Sequence, residues 1–130
     1  MLSHHVYISI SFVLNYRYYH IHIYFHIPLI KKSLDLTVEW AKRSQDAFGL
    51  NPQKALFGIV QGGWDLELRK ESAAFLTSLE FDGYAIGGMS VGEPKSVMYE
   101  TVALMGQELP YLKPRYLMGV GSPEDLVESV

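Results

Sequence analysis

The sequence predicts an α/β domain built on a parallel sheet, and three observations carry that expectation. Short apolar runs alternate with segments of helical periodicity, each run ends in a glycine-bearing turn, and the spacing is that of strand–helix units of some 30 residues. The turns read Phe57-Gly58-Ile59-Val60-Gln61-Gly62-Gly63, Tyr84-Ala85-Ile86-Gly87-Gly88-Met89 and Tyr116-Leu117-Met118-Gly119-Val120-Gly121. In parallel α/β folds the loops that follow strands carry the site. Glycine there lets a ligand approach the bare backbone.

The elements follow in order. Ser33 is the expected cap of a first helix through Leu36, Trp40, Ala41, Ala47 and Phe48, with Gly49 as its stop. Asn51-Pro52 breaks the chain, and Ala55 to Val60 reads as a buried strand. The next helix runs from about Asp65 to Leu79, with Leu68, Phe75, Leu76 and Leu79 on one face. Tyr84 to Ile86 is the second strand. Pro94 suits the first turn of a helix carrying Val97, Met98, Thr101, Val102 and Met105. Arg115 to Met118 is the third strand. Ser122-Pro123-Glu124-Asp125 opens the last helix with a serine cap, a proline and two acids. The expected order is one helix, then three consecutive strand–helix units. Too few strands are present to close a barrel, so the chain reads as part of a larger fold.

Composition divides the chain near Lys31-Lys32-Ser33. All 5 histidines precede that point, whereas all 14 acidic residues and all 11 glycines follow it. Residues 1–32 therefore read as a separate leader and residues 33–130 as the domain. The apolar run Val6 to Ile30 has the length of a membrane span, but Arg17 and three histidines interrupt it. It also lacks the basic start and small-residue cleavage site of a signal peptide. His20, His22 and His26 raise a metal site, but no carboxylate or cysteine accompanies them. With 0 cysteines, a disulfide framework and a cysteine zinc site are both excluded. The net charge of −3 gives no global field for nucleic acid, although a local basic rim would not show in that sum.

The turns admit several chemistries. Gln61 offers an amide donor and a carbonyl acceptor. The backbone at Gly87, Gly88 and Met89 offers the same pair without bulk, a set that suits the edge of a purine or pterin. Met118 offers a polarizable surface on which a ring can lie. Gly119-Val120-Gly121-Ser122 could instead hold phosphate at a helix N-terminus. Plain tight turns remain a third reading.

The run Phe57 through Gly63, the run Phe81-Asp82-Gly83 through Met89-Ser90-Val91-Gly92-Glu93-Pro94-Lys95, and the run Lys113-Pro114-Arg115 through Gly121 closely resemble the tRNA-guanine transglycosylase (queuine tRNA-ribosyltransferase) family. Order and spacing match, and Leu36-Thr37-Val38-Glu39-Trp40-Ala41 with Arg43-Ser44 looks like the segment that precedes these motifs there. The resemblance covers Ser33 to Val130.

The resemblance implies a (β/α)8 TIM barrel, of which this chain is a fragment. It implies cytoplasmic enzymes, acting as dimers, that exchange guanine in tRNA for a 7-deazaguanine on the path to queuosine. An aspartate nucleophile holds the RNA covalently while the bases swap. In that light Gln61 and the Gly88 N–H read the keto oxygen of the base and Met118 stacks on it, with Gly87 and Gly119 in the same base-binding turns. The Met89-Ser90 peptide presents either its carbonyl or its N–H to the 7-substituent, and Glu93 stabilises the alternatives. Val91 borders that substituent. Family members that use an aminomethyl base carry valine there, and those that use queuine carry glycine.

The resemblance also places the catalytic aspartates and the zinc ligands, three cysteines and a histidine, in motifs with no counterpart here. The chain alone is expected to be inactive and to bind no metal or other cofactor. The competing reading is a non-catalytic partner subunit or truncated product that binds base or tRNA only. The intact Gln61, Gly87, Gly88 and Glu93 count against the non-catalytic subunit.

Overall fold

The computed structural model describes Tyr7–Ile8 and residues 27–130. Among these lies a four-stranded parallel sheet of order β1-β2-β3-β4, with β1 at Tyr7–Ile8, β2 at Leu56–Val60, β3 at Gly83–Ile86 and β4 at Arg115–Leu117. The helices are α1 (Ile27–Phe48), α2 (Leu66–Ser78), α3 (Lys95–Glu108) and α4 (Pro123–Glu128). Three strands alternate with helices in the expected order, and the sheet is unclosed. The leader histidines His20, His22 and His26 lie outside the described residues.

The register is continuous across the sheet. Val60 stands opposite Ile86, and Ile86 opposite Leu117. Every residue of β3 is buried, as a central strand covered on both faces requires. β4 is largely exposed. The core joins Leu56, Val60, Leu76, Tyr84, Ile86 and Met105. Asp82 ties the entry ends of two strands, since its carboxylate accepts the Leu56 N–H at 2.8 Å and its own N–H donates to the Leu56 carbonyl at 3.1 Å.

Helix α1 departs from expectation at its start. It begins at Ile27, and Ser33 lies inside it, so the boundary expected at Ser33 falls within a helix. Pro28 lies in the first described turn of this helix. Of the residues expected in this helix, Ala41 is buried and Phe48 packs against the core. Leu34 and Ala41 are buried, while Leu36 and Trp40 are 56% and 53% exposed. Leu36 and Trp40 share a face four residues apart, but that face is turned from the sheet. The stop at Gly49 holds, with φ +57° and an N–H bonded to the Gln45 carbonyl at 3.0 Å.

The later helices start close to expectation. Asp65 caps α2 by accepting the Leu68 N–H at 2.9 Å. Pro94 takes the cap position of α3, so the helix proper begins at Lys95. Ser122 caps α4 through the Asp125 N–H at 3.2 Å. No described helix is long and apolar enough to cross a membrane.

Candidate functional site at the strand ends

Because Val60, Ile86 and Leu117 are in lateral register, the residues that follow them, Gln61, Gly87 and Met118, stand side by side at one edge of the sheet. Adjacent parallel strands lie under 5 Å apart, so these turns form one surface. The ladder continues one step into them. The Gly87 N–H donates to the Val60 carbonyl at 3.0 Å, and the Met118 N–H to the Ile86 carbonyl at 3.1 Å.

Gln61 lies across the β3 turn. A Cβ added at Gly87 would stand 2.6 Å from Gln61 Nε2, and one added at Gly88 would stand 2.9 Å from Gln61 Oε1. Glycine at both positions is what lets the glutamine side chain lie flat on this backbone. Gly88 also has φ +69°, a conformation costly for other residues. Asp65, not Gln61, caps α2, so the glutamine amide is not spent on the helix. The Gln61 N–H donates to Ser72 Oγ at 3.2 Å, which fixes the backbone beneath it.

The β3 and β4 turns meet as well. A Cβ at Gly119 would stand 3.6 Å from the Met89 carbonyl oxygen and 3.7 Å from Ser90 Cβ. Met89 is buried, whereas Gly88, Ser90 and Gly119 are exposed and Met118 is half-buried. Ser90 sits at φ +60°, an uncommon conformation for a residue with a side chain. The Glu93 carboxylate holds it there. One oxygen accepts the Ser90 N–H and the other accepts the Val91 N–H at 2.9 Å. The peptide is trans, so committing the Ser90 N–H to Glu93 turns the Met89 carbonyl the opposite way, towards Gly119. Val91 is 41% exposed beside it.

Sequence reasoning missed Arg69. Its side chain is fully buried under the rim. Nε donates to the Gly63 carbonyl at 2.9 Å, and Nη1 donates to the carbonyls of Gly87 at 2.8 Å and Val60 at 3.3 Å. Burial pulls its pKa down to about 10, and the charge of Glu93 opposes that shift. It stays cationic at neutral pH. The available signal was a charge within the buried stripe Leu68, Ser72, Ala73 and Leu76. At Gly87 the N–H donates to the Val60 carbonyl and the carbonyl accepts from Arg69, so both groups have a protein partner.

Gly88, Ser90, Val91 and Gly119 are exposed along this rim. The crevice of about 150 Å³ between β4 and α3, lined by Ile86, Val102, Gly106, Arg115, Leu117 and Ser129, includes none of the rim residues. The zinc implied by the resemblance finds no donor set among the described residues. The chain has 0 cysteines, and no metal-binding group of three or more His, Cys, Asp or Glu occurs among the described residues.

Comparison with known proteins follows the same boundaries. The sequence profile of queuine tRNA-ribosyltransferase matches residues 27–130, beginning where α1 begins. A queuine tRNA-ribosyltransferase of Thermoanaerobacter pseudethanolicus is 57% identical over 101 residues, 78% of this chain and 27% of the relative. One from Saccharophagus degradans is 61% identical over 98 residues, 75% of this chain and 26% of the relative. One from Francisella tularensis subsp. novicida is 57% identical over 100 residues, 77% and 27% respectively. The chain thus spans about a quarter of the length of these relatives.

Proposed function

Because the chain belongs to the queuine tRNA-ribosyltransferase family, we propose that residues 27–130 form one wall of the base pocket in a (β/α)8 barrel enzyme. That enzyme exchanges guanine in tRNA for a 7-deazaguanine in the cytoplasm, acting as a dimer. The observation that carries this reading is the convergence of Gln61, Gly88 and Met118 on one edge of the sheet. A planar heterocycle with a keto edge matches that set. The Gln61 amide and the Gly88 N–H donate to the keto oxygen, and the Met118 thioether lies against the ring.

The Met89–Ser90 peptide supports the same reading. With its N–H held by Glu93, it leaves a carbonyl for a cationic substituent. An aminomethyl group at position 7 of the base is such a cation. Val91 beside this peptide favours that compact substituent over the bulky cyclopentenediol of queuine. Asp65 and Asp125, which follow β2 and β4 in the chain, are engaged in capping α2 and in the cluster with Lys95, and family resemblance assigns the nucleophile to a motif with no counterpart in this sequence.

The test is a titration of the 130-residue chain with 7-aminomethyl-7-deazaguanine, read by amide and methyl chemical shifts. Gly88, Ser90 and the Met118 methyl are expected to move together. Shifts confined to other elements would overturn the assignment.

A further inference from the structure

We infer that Arg69 is a positioning residue for recognition of the keto oxygen, acting through the Gly87–Gly88 peptide. This rests on the proposed base-reading role of Gly88. The peptide is trans, so its carbonyl and its N–H point in opposite directions. Arg69 Nη1 holds the Gly87 carbonyl down at 2.8 Å. The Gly88 N–H must then point up, towards the open rim. A turn with φ +69° at a glycine has other orientations within reach. The guanidinium selects one of them.

The same side chain fixes the flanking backbone. Through the Val60 and Gly63 carbonyls it joins the ends of the Gln61-Gly62-Gly63 turn to the β3 turn. A fork of fixed planar donors can reach three carbonyls in this way, which a lysine ammonium on a flexible stem cannot reproduce. The remaining nitrogen, Nη2, is buried and has no hydrogen-bond partner among the described residues. It lies 3.4 Å from where a Gly88 Cβ would stand, and Gln61 Oε1 lies 2.9 Å from that same point. One guanidinium therefore stands beside both groups proposed to read the keto oxygen. Its position below the backbone, with no exposed surface, keeps it from touching the base.

The test compares guanine with 2-aminopurine, which lacks the keto oxygen, binding to the full 130-residue chain and to Arg69→Lys and Arg69→Met. Affinities are read from chemical-shift titrations, with the core signals of Met105 and Leu109 reporting the fold. The unsubstituted chain is expected to favour guanine. Arg69→Met is expected to weaken guanine binding roughly tenfold, the scale of one lost hydrogen bond, and to leave 2-aminopurine binding unchanged. Arg69→Lys should fall between. Equal weakening of both ligands, or unchanged discrimination, would overturn the inference. An unsubstituted chain that does not favour guanine would instead remove the base-reading role on which it rests.

If Arg69→Met does not fold, the unsubstituted chain decides. A through-hydrogen-bond coupling between Arg69 Nη1 and the Gly87 carbonyl is expected, together with a Gly88 amide that exchanges freely until guanine is added. Absence of that coupling overturns the inference.

Discussion

Glu93 accepts the Val91 N–H at 2.9 Å and the Ser90 N–H with its second oxygen, so a single carboxylate closes the loop after β3. An amide in its place offers one acceptor where two are needed. Glu93→Gln is expected to leave one of the two N–H groups unheld and to release the Met89–Ser90 peptide. Affinity for 7-aminomethyl-7-deazaguanine should fall roughly tenfold, since bonds to charged acceptors are the stronger class, while guanine binding changes less. Paired titrations of the two bases check this.

Gly87→Ala acts on both recognition and stability. The new methyl would meet Gln61 Nε2 at 2.6 Å and Ile59 Cγ2 at 2.8 Å. The glutamine amide is the end of a flexible side chain and can swing aside, but Ile59 is buried and β-branched and cannot, so the substitution also overpacks the core at a cost of about 1–3 kcal/mol. Displacing Gln61 from the rim should then cost roughly a tenfold loss of guanine affinity, as for one hydrogen bond. Thermal melting alongside a guanine titration reads both effects. Gly88→Ala adds the penalty of a left-handed backbone, roughly 1–2 kcal/mol.

The joint between α3 and α4 sets a pH window. The buried Asp125 carboxylate accepts from Lys95 Nζ, from Ser122 Oγ at 2.7 Å and from Tyr99 Oη at 2.8 Å. The bonds from Lys95, Ser122 and Tyr99 hold its pKa down at about 2. Its stabilising effect is present above the ordinary carboxylate range and is lost as pH falls through that range towards 2. The bond to Asp125 also raises the Tyr99 pKa to about 12. That contribution is present below pH 10 and is lost as pH rises from about 10 to 12. Melting temperature against pH should fall at both ends, and Asp125→Asn should flatten both limbs.

Val91 tests the choice of base. Its side chain is 41% exposed at the rim, free to meet a substituent on the base. Crowding two methyls against the cyclopentenediol of queuine would cost about 1–3 kcal/mol, or roughly tenfold to a hundredfold in affinity. Val91→Gly is expected to gain queuine binding by that factor with little change for the aminomethyl base. Equal queuine binding by both forms would contradict it.

Much of this architecture was legible because it rests on local rules. Asp65, Ser122 and Gly49 sit where cap chemistry puts them, and β2 and β3 are apolar runs bounded by turns. The alignment of Gln61, Gly87 and Met118 at one rim follows from the parallel register that such units impose. Long-range packing was not legible. Leu36, Trp40 and Ala41 are all apolar residues of α1, yet only Ala41 of the three is buried, beside Leu34. Arg69 reads as surface charge until its three carbonyl partners, two of them on other turns, are seen together. The Asp125 cluster was hidden for the same reason, since its cation, Lys95, lies at the far end of α3 in sequence.

The proposed role of this segment is tested most directly by transplanting it. Residues 27–130 would replace the matching segment of the Thermoanaerobacter pseudethanolicus relative, and the graft would be assayed for incorporation of labelled guanine into tRNA, with and without Gln61→Ala. The expected result is an active graft whose KM for the base rises roughly tenfold or more on Gln61→Ala, the loss of at least one hydrogen bond to the base. A folded graft without exchange activity, or an active one indifferent to the loss of Gln61, would contradict the assignment of this rim as the wall that reads the base.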